Sequence, residues 1–255
     1  MLSSAELTSW IGQLLWPMFR IVSALWLLPI FGGKGVPRHS RLALAGALAF
    51  LIAPQLHSLP QVDPLSPAGM MITVEQIVIG LSFAFIIKLL FTVFTLAGQM
   101  MSMQMGLAMA VMNDPSSGST PLLGTWLQTL TFLLFLAMDG HLVLFTVLLE
   151  SFHTLPIGGG LFANDFLDLT LMGSWLFSGA FLMAIPSIFS MLLVNLCFGV
   201  MSRAASQLNI FALGFPMTMM FGMITLFLVF INIPAVFTDM TELALAALRS
   251  YMQMR

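Results

Sequence analysis

The sequence has 255 residues, of which 59% are hydrophobic and only 7% charged, and its mean hydropathy is +1.03. Because soluble domains carry about a quarter charged residues, and because 10 acidic and 8 basic side chains cannot cover a globule of this size, the composition excludes an ordinary soluble protein. A net charge of −2 gives no electrostatic basis for a nucleic-acid partner or an acidic substrate, and the single Cys197 excludes an internal disulfide.

Apolar segments follow one another along the chain, and a hydropathy count predicts about six membrane-spanning helices. These segments lie at 10–31, 40–57, 69–111, 122–152, 170–202 and 211–233, with a last helix near 235–252. The N-terminus lacks a basic region before its first apolar segment, so we expect that segment to remain in the mature protein.

Prolines and polar turns interrupt several segments. The uncharged run from Leu169 to Ser202 would measure about 51 Å as one helix, well beyond the ~30 Å hydrocarbon core. Pro186 near its middle predicts a kink or a hairpin of two short helices. Asp139-Gly140 predicts a turn, and Asp239 followed by Glu242 predicts that a helix restarts there.

The predicted fold class is therefore all-α, with polytopic membrane-type helices that are broken into hairpins and pack on other protein. Residues 1–255 are expected to form a single domain with no separate soluble part. In the second segment, the small pairs Ala43/Ala47, Ala45/Ala49 and Ala49/Ala53 indicate either close helix packing or simply good helix formers. In the last helix, the predicted apolar stripe consists of Val236, Met240, Leu243 and Ala247.

A methionine-rich stretch from Gly98 to Gly124 occupies the centre of the chain. It ends its helical part at the polar turn Asn113-Asp114-Pro115, and a Ser/Gly/Thr-rich run follows. Flexible thioethers beside Gly106 would make a surface that can deform and reseal. The alternative is that these methionines only fill a helix interface.

Few ionisable residues lie within or at the edges of the apolar segments: Glu75, Lys88, Asp139, His141, Glu150 and Arg203. Such residues are costly in a membrane, and structural pairing explains them better than a proton relay. Asp139 and His141 have the wrong spacing for a helical metal pair. Since no nucleophile, phosphate-binding or metal-ligand motif occurs, the sequence predicts no enzyme activity, no cofactor and no metal.

Four parts of the chain match a known family. They are Pro29–Gly32 with Val36-Pro37 and Arg41, Gly98–Pro115, Ser151-Phe152 with Pro156, and Arg203–Pro216, which contains Gln207-Leu208-Asn209-Ile210-Phe211. With these stretches the chain resembles the FliR family, the R-type subunits of the flagellar type III export gate. It departs from the family at Ser206, where members often have proline.

The resemblance implies a subunit of a hetero-oligomeric helical cone in the bacterial inner membrane, within the flagellar basal body. It implies FliP-like and FliQ-like partners, other type III export membrane components, surrounding lipid, and unfolded flagellar proteins as cargo. The pore plug implied by the family match comprises Gly106, Leu107, Ala108, Met109, Ala110, Val111, Met112, Asn113 and Asp114. The polar residues expected at subunit interfaces are Lys88, Arg203, Gln207 and Asn209.

Two other classes of protein compete with an export-gate subunit. A self-contained secondary transporter would show an inverted repeat and charges that converge at mid-membrane, and the sequence offers neither. An intramembrane enzyme would have to use Asp139 and His141.

Overall fold

The computed structural model describes residues 4–33, 35–56, 60, 62–106, 122–160, 163–204 and 210–253. The regular elements in these ranges are α-helices and one 3₁₀ turn, so the predicted all-α class is confirmed. The helices are α1 (Ser4–Leu27), α2 (Pro29–Gly32), α3 (Arg38–Ile52), α4 (Pro67–Gln104), α5 (Leu122–Ala137), α6 (Gly140–Thr154), α7 (Ala163–Ala204) and α8 (Ile210–Gln253), and the 3₁₀ turn is Ala53–Gln55.

Local sequence signals set both ends of α4. The Ser66 hydroxyl accepts a hydrogen bond from the backbone N–H of Gly69 at 3.1 Å, as an N-cap does, and Pro67 supplies the first helical residue. At the other end Gly106 has φ +75°, and its N–H donates to the carbonyl of Met103 at 3.2 Å. A glycine in this left-handed conformation ends a helix at little conformational cost.

The predicted breaks have mixed outcomes. The turn at Asp139-Gly140 is confirmed, because Asp139 has φ 56° and ψ 22° and separates α5 from α6. Of the kink and the hairpin predicted at Pro186, the hairpin is wrong, since Pro186 lies inside a continuous α7, and the kink stays a prediction. The restart predicted at Asp239 is also wrong, since α8 runs from Ile210 to Gln253. A proline removes only one helical hydrogen bond, and long apolar helices tolerate that loss.

Three helices of the described chain are long and apolar enough to cross a membrane: Pro67–Gln104, Leu169–Ala204 and Pro216–Met252. A fourth span results if α5 and α6 are counted as one broken span. The expected six spans are thus corrected to three or four. The helix α3 has only 15 residues, α5 and α6 with 16 and 15 residues can span only as a pair, and α1 is not among the candidate spans.

The residues fall into two compact units. The first comprises Met1–Leu89, Met138–Met172 and Leu243–Arg255, and the second comprises Leu90–Ala137 and Gly173–Glu242. In the first unit α3 packs against α1, and Ala45 and Ala49 are fully buried, while Ala43 and Ala47 are exposed. Close helix packing therefore explains the pair Ala45/Ala49 and does not explain Ala43/Ala47. In the third pair, Ala49 is buried, whereas Ala53 is only partly buried and lies in the 3₁₀ turn.

An aromatic cluster forms the core of the second unit. The ring centroids of Phe91 and Phe135 are 5.4 Å apart, those of Phe94 and Phe237 are 5.7 Å apart, and those of Phe135 and Phe237 are 6.4 Å apart. All four side chains are buried. Edge-to-face and tilted pairs at these distances add to the hydrophobic stabilisation of the unit.

Candidate functional site

Two glycines, predicted only as the limits of the methionine-rich stretch, lie where α4 and α5 are in contact. A methyl carbon on Gly98 of α4 would lie 2.7 Å from the carbonyl oxygen of Leu123 and 2.8 Å from Cα of Gly124 on α5. Real side chains do not fit at such distances, so the backbones of α4 and α5 are in direct contact here. Close approach of this kind is typical of small residues between membrane helices.

The last turn of α4 is anchored by methionines. Met101 and Met105 are fully buried, and Met105 packs on Gly222 of α8, where a methyl carbon would lie only 2.5 Å from the Met105 Cε atom. Met103 is exposed, and Gly106 has the left-handed φ of +75°. The described part of α4 therefore ends on packed methionines, at a glycine that adopts this conformation at little cost.

Of the nine predicted plug residues, only Gly106 lies in the described part of the chain, and residues 107–114 lie outside it. The burial of Met101 and Met105 favours the alternative interpretation for these two methionines, namely that they fill a helix interface. Met109 and Met112 lie outside the described residues, so the plug assignment stays a prediction.

Two of the four predicted interface residues are described. Lys88 is exposed on α4, and Arg203 is exposed in the last turn of α7. Gln207 and Asn209 lie outside the described ranges. The exposure of Lys88 and Arg203 leaves both positions accessible to another subunit.

Sequence reasoning missed the most extensive buried polar cluster in the first unit, which is centred on Arg20. Its Nε donates to Oε1 of Gln76 at 2.8 Å, and its two terminal nitrogens donate to the carbonyls of Ser151 and Leu155 at 2.9 and 2.8 Å. The guanidinium also lies 4.3 Å from the ring centroid of Phe152. Arg20 thus joins α1, α4 and the end of α6, and the signal that could have revealed it is an arginine inside the first apolar segment.

The Asp139 region does not resemble a catalytic centre. The carbonyl of Asp139 accepts hydrogen bonds from the N–H groups of Leu142 and Val143 at 2.9 and 3.3 Å, which begins α6. Asp139 is exposed, and no group of three metal-ligating side chains occurs among the residues that the structure describes. This geometry supports the structural interpretation of Asp139 as a turn residue.

Comparison with known proteins decides the family. The family described as bacterial export proteins, family 1, matches residues 11–244. The chain belongs to this family.

Several curated relatives share a name. The chain is 38% identical over 222 residues to flagellar biosynthetic protein FliR of Escherichia coli K12, covering 86% of this chain and 85% of that protein. It is 34% identical to FliR of Pectobacterium carotovorum, covering 91% and 89%. It is 26% identical to FliR of Bacillus subtilis 168, covering 92% and 95%. The resemblance to the FliR family is confirmed.

In this member of the FliR family, most residues in the apolar parts of the two longest helices, α7 and α8, are not buried by the rest of the chain. Within the most apolar 18-residue windows of α7 and α8, only 22% of the residues are buried. Large apolar side chains with more than half of their surface exposed include Phe177, Phe181, Phe189, Leu196, Met220 and Phe227. Apolar surface of this extent marks contact with lipid or with other protein chains, which agrees with a bacterial export protein located in a membrane.

Proposed function

We propose that this chain is a non-enzymatic subunit of the flagellar type III export gate in the bacterial inner membrane, within the basal body. With FliP-like and FliQ-like subunits it forms the channel through which unfolded flagellar proteins leave the cytoplasm. The observation that carries the proposal is the family match over residues 11–244, together with relatives named flagellar biosynthetic protein FliR.

Residues 106–114 contribute to the plug of this channel. Two features support the assignment: the segment starts at Gly106, whose φ is +75°, and the helices on either side of it, α4 and α5, pack directly on each other at Gly98 and Gly124. A segment between two helices that are packed in this way can change conformation without separating them. Met109 and Met112 then seal the resting channel by apolar contact, and their flexible side chains adapt when cargo passes.

The uncovered surface of α7 and α8 supports a role inside an assembly. Lys88, Arg203, Gln207 and Asn209 make polar contacts with neighbouring subunits, since polar groups in an apolar interface need hydrogen-bond partners. Such a chain is a single functional domain that is poorly stable when purified without its partners.

The plug assignment is tested by deleting residues 106–112 in the purified, reconstituted gate and measuring ion conductance. The deletion is expected to preserve assembly and to raise the resting conductance. A double variant, Met109→Ala with Met112→Ala, should also raise the resting conductance. Its matched control is Met201→Ala with Met220→Ala, at exposed positions of α7 and α8, which should leave the conductance unchanged. Unchanged conductance in the deletion, with normal assembly, would show that the loop does not close the channel.

The subunit assignment is tested separately by mass analysis of proteins that co-purify with the chain from its native membrane. Recovery of FliP-like and FliQ-like subunits is expected. A stable solitary chain that supports flagellar assembly would contradict it.

A further inference from the structure

One narrow side of α4 is left uncovered by the rest of the described chain. Within residues 79–91 the exposed positions are Leu81, Phe85 and Lys88, and every other position is buried. Their spacing of four and three residues places the three side chains on one side of the helix. The opposite side, which contains Phe83, is apolar and buried. The helix is therefore enclosed by protein around most of its circumference.

The uncovered side continues towards the start of α4. Val74 is 56% exposed and Val78 is half-buried. The α4 stripe is defined here as Val74, Val78, Leu81, Phe85 and Lys88, which all lie in the first unit. These positions follow one another at intervals of four, three, four and three residues. A repeat that averages about 3.5 residues is the contact pattern of two helices that cross at a small angle. The α4 stripe therefore has the width and the period that fit one neighbouring helix.

Lys88 places a charge within the apolar part of α4. The charged residues of this helix are Glu75 and Lys88, and the uncharged stretches after them are 76–87, with 12 residues, and 89–104, with 16 residues. Since a helix needs about 20 residues to cross the hydrocarbon core, every placement of α4 across a bilayer brings at least one of these two charges into the core. Glu75 is buried in the protein, whereas Lys88 is exposed. A core centred on α4 would contain Lys88 near its middle.

Charge and polarity distinguish the surroundings that could cover the α4 stripe. Lipid would suit Leu81 and Phe85 but would leave Lys88 in hydrocarbon, which is costly. Water in a channel would suit Lys88 but would leave the apolar side chains of the stripe in contact with water. An apolar helix of another chain suits the whole stripe if it carries a carboxylate at the height of Lys88, because a buried charge is stabilised by an opposite charge.

We propose that one membrane helix of a neighbouring subunit packs along the α4 stripe and places an aspartate or a glutamate against Lys88. Contact with Leu81 and Phe85 supplies the packing between the two helices, and the ion pair at Lys88 sets the register of the partner helix along α4. The proposal rests on the proposed role of the chain inside an assembly, and it specifies the chemistry of one partner.

Photo-crosslinking in the native membrane tests which molecule covers the α4 stripe. The photoreactive residue p-benzoylphenylalanine in place of Phe85 keeps an aromatic side chain within the stripe. Its product is expected to join the chain to another subunit, with an Asp or Glu of that subunit within about one helical turn of the attachment point. The same residue in place of Phe50, which is 76% exposed on α3, is the control and should not capture that peptide. A lipid adduct at position 85, a partner peptide without an acidic residue, or no adduct would overturn the proposal.

Substitution of Lys88 tests the ion pair. Lys88→Met removes the charge and leaves the partner's carboxylate buried without it, so recovery of that subunit during purification should fall about 30-fold. Lys88→Arg keeps the charge and should keep most of the recovery. Arg249→Met, at an exposed position of α8 outside the stripe, is the matched control and should not change the recovery. Unchanged recovery with Lys88→Met would refute the ion pair.

The outcomes separate this proposal from the assignment as an export-gate subunit. If the wild-type chain recovers FliP-like and FliQ-like subunits while the adduct at position 85 is lipid, the proposal for the α4 stripe fails and the assignment stands. If the wild-type chain recovers no other subunit, both fail. Lys88→Glu combined with lysine at the acidic position found by crosslinking should restore the recovery that Lys88→Glu alone removes, and failure to restore it would contradict the pairing.

Discussion

Gly98 of α4 and Gly124 of α5 lie in backbone contact, so that a methyl carbon on Gly98 would fall 2.8 Å from the Cα atom of Gly124. They belong to the two helices on either side of residues 107–121, and their contact packs α4 directly against α5 within the second unit.

Replacing Gly98 by alanine is expected to lower the free energy of unfolding by roughly 1–3 kcal/mol, because the new methyl group forces α4 and α5 apart. Thermal unfolding of the chain in detergent measures the effect. Gly199→Ala in α7 is the control: nothing lies within 4 Å of a methyl group there, and the substitution should stabilise the helix by about 0.5–1 kcal/mol. Equal unfolding midpoints for the two variants would contradict the packing argument.

Replacing Arg20 by alanine removes the donor that serves Gln76, Ser151 and Leu155. We expect a loss of about 2–4 kcal/mol in unfolding free energy, since buried acceptors are left without a partner. Arg20→Lys should recover only a small part of this loss, because one ammonium group cannot reproduce the planar guanidinium group with its several N–H donors. Arg249→Ala at an exposed site should be close to neutral. Full recovery by lysine would show that the charge alone matters.

Gly106→Ala is expected to alter the resting state of the gate, because alanine disfavours the φ of +75° at which the loop leaves α4. Resting ion conductance of the reconstituted assembly should rise. Gly160→Ala is the matched control, because Gly160 has a similar φ of +83° and nothing lies within 4 Å of an added methyl group there. That variant carries the same backbone cost of about 1–2 kcal/mol without an effect on conductance. A leak in both variants would point to general destabilisation.

The hydroxyls of Ser187 and Thr225 lie 3.4 Å apart and connect α7 to α8. A double-mutant cycle with Ser187→Ala and Thr225→Ala should give a coupling energy of roughly 0.5–1 kcal/mol in unfolding free energy, as for other hydrogen bonds between membrane helices. Ser190→Ala serves as the control, because its hydroxyl donates to the Pro186 carbonyl of its own helix. If a cycle with Ser190→Ala and Thr225→Ala gave an equally large coupling energy, the hydrogen bond between Ser187 and Thr225 could not be its cause.

Helix breaks were predicted from local sequence with mixed success. The break at Asp139 was predicted correctly, because aspartate followed by glycine favours the left-handed conformation that the chain adopts there. The hairpin at Pro186 was predicted wrongly, because the hydrogen bond that proline removes is one among the many that hold a 42-residue helix.

The buried face of the last helix could not be predicted. The expected apolar stripe included Leu243, which is 54% exposed, whereas Phe237, Ala244 and Leu248 are fully or almost fully buried. When a helix is apolar on most of its surface, periodicity does not distinguish the side that packs on protein from the side that does not.

Composition and local signals in the sequence determined the all-α class, the membrane character, the turn at Asp139 and the family resemblance. Each of these depends on residue types or on neighbours close in the chain. Only the tertiary structure decided which residues meet Arg20, since its acceptors lie 56 to 135 positions away. It also decided that Gly98 packs on Gly124, because contact between two helices depends on how their surfaces fit, and no single segment encodes that fit.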